Sequence, residues 1–476
     1  MSRENAAPEG LDTYHWYRRA ARRGNPYAQF NLAQLYLRGS GVARDEALAA
    51  AWMARAAASG LAYAQNHLGA MYYNGRGVHP DSVQAAHWFR RAARQGDRSA
   101  QHNLGLLYRK GRGVQQSHKA ALGWFHRAAE QGMARAQAQL AEGYLHGYGV
   151  KVSHPLAMAW FRKAALQGHV PAQVQLARMY ARGQGAAAGT SQALYWFRHA
   201  AAAGNPVAQR ELGLAHAHGQ GTDADPALAR YWLTQAAQAG DAEALYALGG
   251  LLAGGAGGLP RDSAGARRCY QAAADQGHAQ AQYRLARMLA GGSGGRRDPG
   301  RALEYYLRAA ELGAANAQFA LGLLYARGRG VPRDPARAAD WYRSAARLGD
   351  AGAQARLAAL YARGDGVPQD DLLAAHWRRL AARRDHALAS GHQGGPHPAG
   401  RRADRGLNPD PARAPIWTEL TRVERRPDGA APRAATPSPR AASDYTALRD
   451  GGQHGRARVL LDRWLGPRRT VRTPGP

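Results

Sequence analysis

Nineteen histidines, one cysteine and a recurring Gly-x-Gly tripeptide are the residues with chemistry to offer in this 476-residue chain. Histidines hold a metal when several converge, as two do one helical turn apart. His216 and His218 stand two apart on a helical stretch, so their side chains diverge. Paired Cys-x-x-Cys and calcium-loop patterns are missing, and Cys269 has no disulfide partner, so no metal and no cofactor is expected. A phosphate loop follows a strand and carries Gly-Lys-Ser/Thr; these tripeptides recur ten times between helical stretches and read as hairpin connectors. No nucleophile elbow and no serine with a base at a workable spacing is expected either. With no acid, base, nucleophile or metal set, the chain is read as not an enzyme.

The elements that carry these residues follow a strict period. From Trp16, one position recurs as Trp52, Trp88, Trp124, Trp160, Trp196, Trp232, Cys269, Tyr305, Trp341 and Trp377, at 36 residues each time except for one step of 37. Cys269 therefore reads as a core substitute. Each period holds two helices. The first carries an i, i+4, i+8 stripe (Ala28, Leu32 and Tyr36; Ala64, Leu68 and Tyr72), which is helical spacing. Gly39 and its equivalents end it with positive φ. The second opens on Asp45, Asp81, Ser117, Ser153, Asp225, Asp262, Asp298, Asp334 or Asp370, all good N-caps seven residues before the aromatic column. Alanine columns let helices approach, with Trp and Phe filling the space between repeats. Gln29, Gln65, Gln101 and their equivalents recur after the stripe's alanine, which predicts a hydrogen bond to neighbouring backbone. Gly189 at a cap position and the glycine-rich seventh and eighth units are the expected soft points.

This pattern, seen whole in Ala100 to Gly132, resembles the Sel-1-like repeat family, a relative of the tetratricopeptide repeats. The resemblance runs over residues 11–391. It implies an all-α fold: an αα-solenoid superhelix of about ten helix-turn-helix repeats, with first helices on the concave wall and second helices outside. Stacking is required on physical grounds too, because one pair cannot bury its own stripe. The penicillin-binding activity described for cysteine-rich relatives does not carry over, since a disulfide per repeat is lacking.

Residues 1–10 read as a flexible N-terminus without an apolar signal core. From about 392 the period is lost, and the stretch 392–476 is rich in Pro, Arg, Gly and Ala, the composition of a disordered tail. Two apolar islands, 415–426 and 456–465, could form short helices. No run is long enough to span a membrane, and a lone thiol suits a reducing compartment, so a cytoplasmic and bacterial setting is expected. Net charge is +30, from 64 basic against 34 acidic residues. Such a balance suits acidic protein segments or, as the alternative function, an anionic surface (nucleic acid, acidic lipid or polyanion) met by a basic ridge at Arg18-Arg19, Arg90-Arg91, Arg162-Lys163 and Arg198 and by the tail.

Repeats share what a scaffold needs and differ where a site needs particular residues. Positions two, six and nine beyond the stripe's alanine point away from the stripe. They hold Phe30, Tyr73, His102, Arg109, Arg178, Arg210, Tyr246, Tyr283, Arg287 and Phe319, a mix suited to protein binding. The leading expectation is a scaffold or adaptor that binds protein or peptide with acidic and apolar segments along the concave face, as adaptors of the resembled family do.

Overall fold

The computed structural model describes residues 11–255 and 260–390. The N-terminal ten residues and the stretch after 390, with both apolar islands, lie outside the described residues. Among those described there are 21 helices and no strand. The chain divides into two compact units, 1–200 and 201–476. In the first, α1 (Leu11–Arg22) precedes α2 (Pro26–Arg38), α3 (Glu46–Ala58), α4 (Ala62–Asn74), α5 (Ser82–Arg94), α6 (Arg98–Lys110), α7 (His118–Glu130), α8 (Ala134–His146), α9 (His154–Leu166) and α10 (Val170–Arg182). The division falls inside α11 (Thr190–Ala202). The second unit continues with α12 (Pro206–His218), α13 (Pro226–Gln238), α14 (Ala242–Gly254), α15 (Ser263–Asp275), α16 (Ala279–Gly291), α17 (Pro299–Glu311), α18 (Ala315–Arg327), α19 (Pro335–Arg347), α20 (Ala351–Arg363) and α21 (Asp371–Ser390). From α1 to α10 and from α12 to α21 each helix packs on its neighbours in sequence, which is an αα-solenoid of helix hairpins.

Local chemistry sets the helix limits. Asp45, Asp81, Ser117 and Asp225 accept hydrogen bonds from the first-turn amides of their helices, as the cap spacing predicts. Ser153 occupies the cap position without such a bond, and α11 forms after Gly189 with no side-chain cap available. First helices have caps that the sequence reading did not single out: Asn25, Asp97 and Asn205 by their oxygens, His169 and His278 by Nδ1. Leu61, Met133 and Ala314 make no cap bond.

The alanines and leucines of the first-helix stripe are buried, Leu32, Leu104, Leu140 and Leu176 completely, while Tyr72 and Tyr108 of the same stripe are half-buried. The aromatic column behaves less simply. Trp52, Trp88, Trp124 and Trp160 are half-buried and Trp16 is 50% exposed, whereas Met53, Phe89, Phe125 and Phe161, which follow the first four, are deeply buried. Trp88 lies on the cluster of α1 to α4 and Trp124 on that of α5 and α6, so the indole covers the preceding repeat while its neighbour fills the core. Cys269 takes the same column fully buried, and burial pushes its thiol up to about 12. That is an inert core cysteine.

Two recurring contacts fix the stacking. At Gly77, Gly113, Gly149, Gly185, Gly294 and Gly366 the second glycine of the loop is more than a connector, whereas a Cβ on Gly330 would meet only the Pro299 side chain, at 3.9 Å. A Cβ on Gly77 would stand 1.9 Å from the Glu46 carbonyl oxygen, and one on Gly113 would stand 1.9 Å from that of Ser82. The loop of one hairpin therefore lies directly on the start of the preceding second helix, where only glycine fits. The recurring glutamine does what its recurrence predicts. Gln65 Nε2 donates to the Ala57 carbonyl at 3.0 Å and Gln137 Nε2 to that of Ala129 at 3.1 Å, with the same bond at Gln29, Gln101, Gln173, Gln209, Gln282, Gln318 and Gln354. In three repeats a second glutamine completes the pairing: Gln95, Gln131 and Gln167 donate to Gln65, Gln101 and Gln137, each at 2.8 Å. Where that column holds Leu312 or Leu348, the buried Oε1 of Gln282 or Gln318 has no hydrogen-bond partner.

Gly113→Ala adds a clash with backbone to the strain of a φ of 66°, whereas at Gly132, with φ 80°, a Cβ meets nothing within 4 Å. The first should cost about 3 kcal/mol and the second about 1 kcal/mol in denaturant unfolding. Similar losses at both positions would refute the close approach. Leu348→Gln should raise the midpoint, by about 1 kcal/mol, because it supplies the missing donor to Gln318.

Candidate interaction face on the first helices

The six position-two side chains singled out above lie on the first helices and lean on a neighbouring repeat or helix. Phe30 is half-buried with its ring edge-on to His67 of α4, centroids 5.3 Å apart. His102 is buried and tilts against Phe125 at 5.7 Å. Tyr246 stacks on the cap residue His278 at 4.8 Å, Tyr283 sits 6.0 Å from Tyr306, and Phe319 sits 5.8 Å from Tyr342. Arg210 is held by Glu211 and Asp241, each at 2.9 Å, with 18% of its side chain exposed. Five of the six are half-buried and His102 is buried.

The other positions are more open. Tyr73 is half-buried, and Arg112 donates to its hydroxyl at 2.7 Å. Arg109 donates to Gln139 Oε1 and stands 3.7 Å from Glu142. Arg178 is half-buried on α10, and the exposed Arg287 guanidinium lies 5.9 Å from the Tyr283 ring centre. The structure thus brings together Tyr283 with Arg287 in the second unit. In the first unit it pairs Tyr73 and Arg109 with partners the sequence reading did not name, Arg112 and Gln139. Phe30, Arg178 and Phe319 each stand in a repeat of their own, and His102 shares α6 with Arg109. Sequence-separated pairs such as Arg210 and Asp241 were visible only as charges one repeat apart.

On the second helices, Arg91 and Lys163 of the expected ridge are tied to the indole column, as are Arg55 and Arg127 outside it. Arg55, Arg91, Arg127 and Lys163 sit 4.5, 5.1, 4.5 and 4.0 Å from the ring centres of Trp52, Trp88, Trp124 and Trp160. Each cation stands three residues after its indole, one turn along the helix. Arg90 donates to the Tyr108 hydroxyl at 3.2 Å. These cations are therefore part of the repeat's own packing.

Among the described residues, no three His, Cys, Asp or Glu side chains gather as metal ligands. His216 is buried and His218 exposed, as expected of side chains that diverge. Gly291-Gly292-Ser293-Gly294-Gly295 spells the letters of a nucleophile elbow, against the expectation that none occurs. It is the hairpin loop after α16, with no strand before it, so it lacks the strained strand-to-helix turn that exposes a nucleophile. No described helix is long and apolar enough to cross a membrane.

The sequence profile of the Sel1 repeat matches residues 13–25, 26–61, 62–97, 98–133, 134–169, 170–205, 206–241, 242–278, 279–313, 315–350 and 351–386. A solved protective antigen of uropathogenic Escherichia coli, which displays an SLR fold, is 30% identical, covers 98% of this chain with 92% of its own, and superposes with a TM-score of 0.74. A Sel1 repeat protein from Oxalobacter formigenes is 31% identical over 67% of this chain and 94% of its own, with a TM-score of 0.53. No curated protein sequence matches significantly.

Burial lowers the basicity of the His102 and His169 imidazoles, so both are held neutral in the fold. A base whose folded pKa is depressed supplies stability that is complete above its unfolded value, about 6.5, and is lost as pH falls below it. Protonation of His169 also removes the acceptor that caps α10 at Ala172. The melting temperature should therefore fall between pH 7 and pH 5. His102→Gln with His169→Asn should flatten that slope, the cap alone being worth about 1 kcal/mol. An unchanged slope in the double variant would show that other groups carry the acid sensitivity.

Proposed function

The chain belongs to the Sel1 repeat family, and on that premise we propose that it is a non-catalytic scaffold that holds a partner protein along its first-helix face. The observation that carries this reading is the division of labour between columns. The constant columns are spent on packing: buried alanines, loop glycines against backbone, glutamines on carbonyls. The variable columns leave Tyr73, Arg109, Tyr283 and Arg287 at least partly open on the first helices. Half-covered aromatics give a partner desolvated contact at small entropic cost, and arginines beside them select carboxylates. A partner with acidic and apolar segments fits both. The second-helix cations, stacked on their indoles, are already engaged within the chain.

The test is retention of protein from nuclease-treated lysate of the source cell by the immobilised full chain, at low and high salt. A discrete protein should remain at high salt. Tyr73→Ala with Arg287→Ala should weaken its retention about tenfold or more, while Arg19→Ala with Arg94→Ala on the second helices should leave it unchanged. Complete loss on nuclease treatment or at high salt would overturn the reading in favour of an anionic surface met by the ridge.

A further inference from the structure

Four columns of the repeat have their one exceptional residue at a single place. Arg109 is the one charged residue of a column otherwise made of Leu, Tyr and Ala. Glu142 is the one acid of its column. Gly143 stands where the other first helices carry Leu, Met or Ala, and Tyr148 is the one aromatic in its loop column. All four line one cleft bounded by α6, α7, α8 and the loop after α8. The cleft is shallow, about 20 Å³, with Ala121, Leu122 and Phe125 buried in its wall and Arg109, Glu142 and Tyr148 at its open mouth.

Gly143 explains the shape. At the preceding junction Ala86 of α5 and Leu107 of α6 hold the equivalent positions; here they are Leu122 and Gly143. A Cβ on Gly143 would meet Leu122 Cδ1 at 2.2 Å, so the apolar bulk comes from α7 and the α8 wall is bare backbone. At the rim Arg109 donates to Gln139 Oε1, and its approach to Glu142 at 3.7 Å is longer than a hydrogen bond. Burial pushes the Glu142 carboxyl above the ordinary carboxylate range, with Arg109 opposing. Tyr148, half-exposed, lies against both His118 at 5.6 Å and His146 at 5.4 Å. Lys110, Arg112 and Lys119 are exposed on the flanking segments, so the surroundings are cationic.

We propose that the mouth of this cleft is an anchor point for an acidic side chain of the partner segment, its carboxylate taken by Arg109 and its methylene groups laid on the half-exposed ring of Tyr148. Charge selects the occupant: a cation would meet Arg109 and its basic flanks, whereas a carboxylate replaces the amide oxygen of Gln139 with a charged acceptor. Arg109, Gly143 and Tyr148 then have one joint task. The proposal rests on the scaffold reading and gives it a location.

The probe is a random peptide library panned on the full chain. Enriched peptides should share an Asp or Glu beside an apolar residue. Their affinity should fall about tenfold or more in Arg109→Leu and stay unchanged in Arg347→Ala, an exposed cation on α19 outside the cleft and its flanks. Leu122→Ala with Gly143→Leu copies the Ala86 and Leu107 combination of the preceding junction, which keeps the core filled while reshaping the pocket. It should lose the peptides with its helical signal and melting intact. Peptides that lack an acid, or that bind Arg109→Leu as well as the parent, overturn the pocket and leave the scaffold reading standing. A library that yields no binder overturns both.

Discussion

The close approach of a loop glycine to the helix before it, repeated at Gly77, Gly113, Gly149, Gly185, Gly294 and Gly366, is the constraint on which the stack depends. With Gly77 and Gly113 against the carbonyls of Glu46 and Ser82, adjacent hairpins are set at a distance that backbone atoms define rather than side chains. The alanine columns follow, because Ala56, Ala57, Ala92 and Ala93 are what the remaining space admits. So does the place of the indoles. Once the backbones are fixed, the wide residue at Trp88 or Trp124 has room only over the seam, where an arginine one turn later covers its face.

Most of this was legible in the sequence because a period of 36 repeats each requirement. Caps at Asp45 and Asp81, the leucine stripe and the glutamine bond are each a local rule stated many times. The column that fills the core was less legible. Trp88 and Phe89 are both large, and hydrophobicity does not say which of two adjacent positions faces inward; 100° of helix separates them, and only packing decides. Position two was read as facing away from the stripe. That is right for direction along the helix, but the next repeat is close enough to half-cover Phe30, Tyr246 and Phe319.

The cleft at Arg109 was legible only in part. Arg109 was among the residues whose departure from the pattern singled it out, while Gly143 and Tyr148 were not, because a glycine or a loop tyrosine carries no chemistry alone. Their joint meaning needs two helices and a loop superposed in space, which periodicity does not supply. A repeat array hides its particular places in this way. Each exception is an ordinary residue in an ordinary helix, and only their coincidence at one junction distinguishes them.

The paired glutamines have a mechanical consequence. The seams at Gln65, Gln101 and Gln137 are tied twice, by the bond to a carbonyl and by a second glutamine, whereas those at Gln282 and Gln318 are tied once and keep an orphaned oxygen. Under tension along the chain the singly tied seams part first, so the array has a built-in order of failure. A partner gripped across doubly tied repeats would be held by the stretch that yields last.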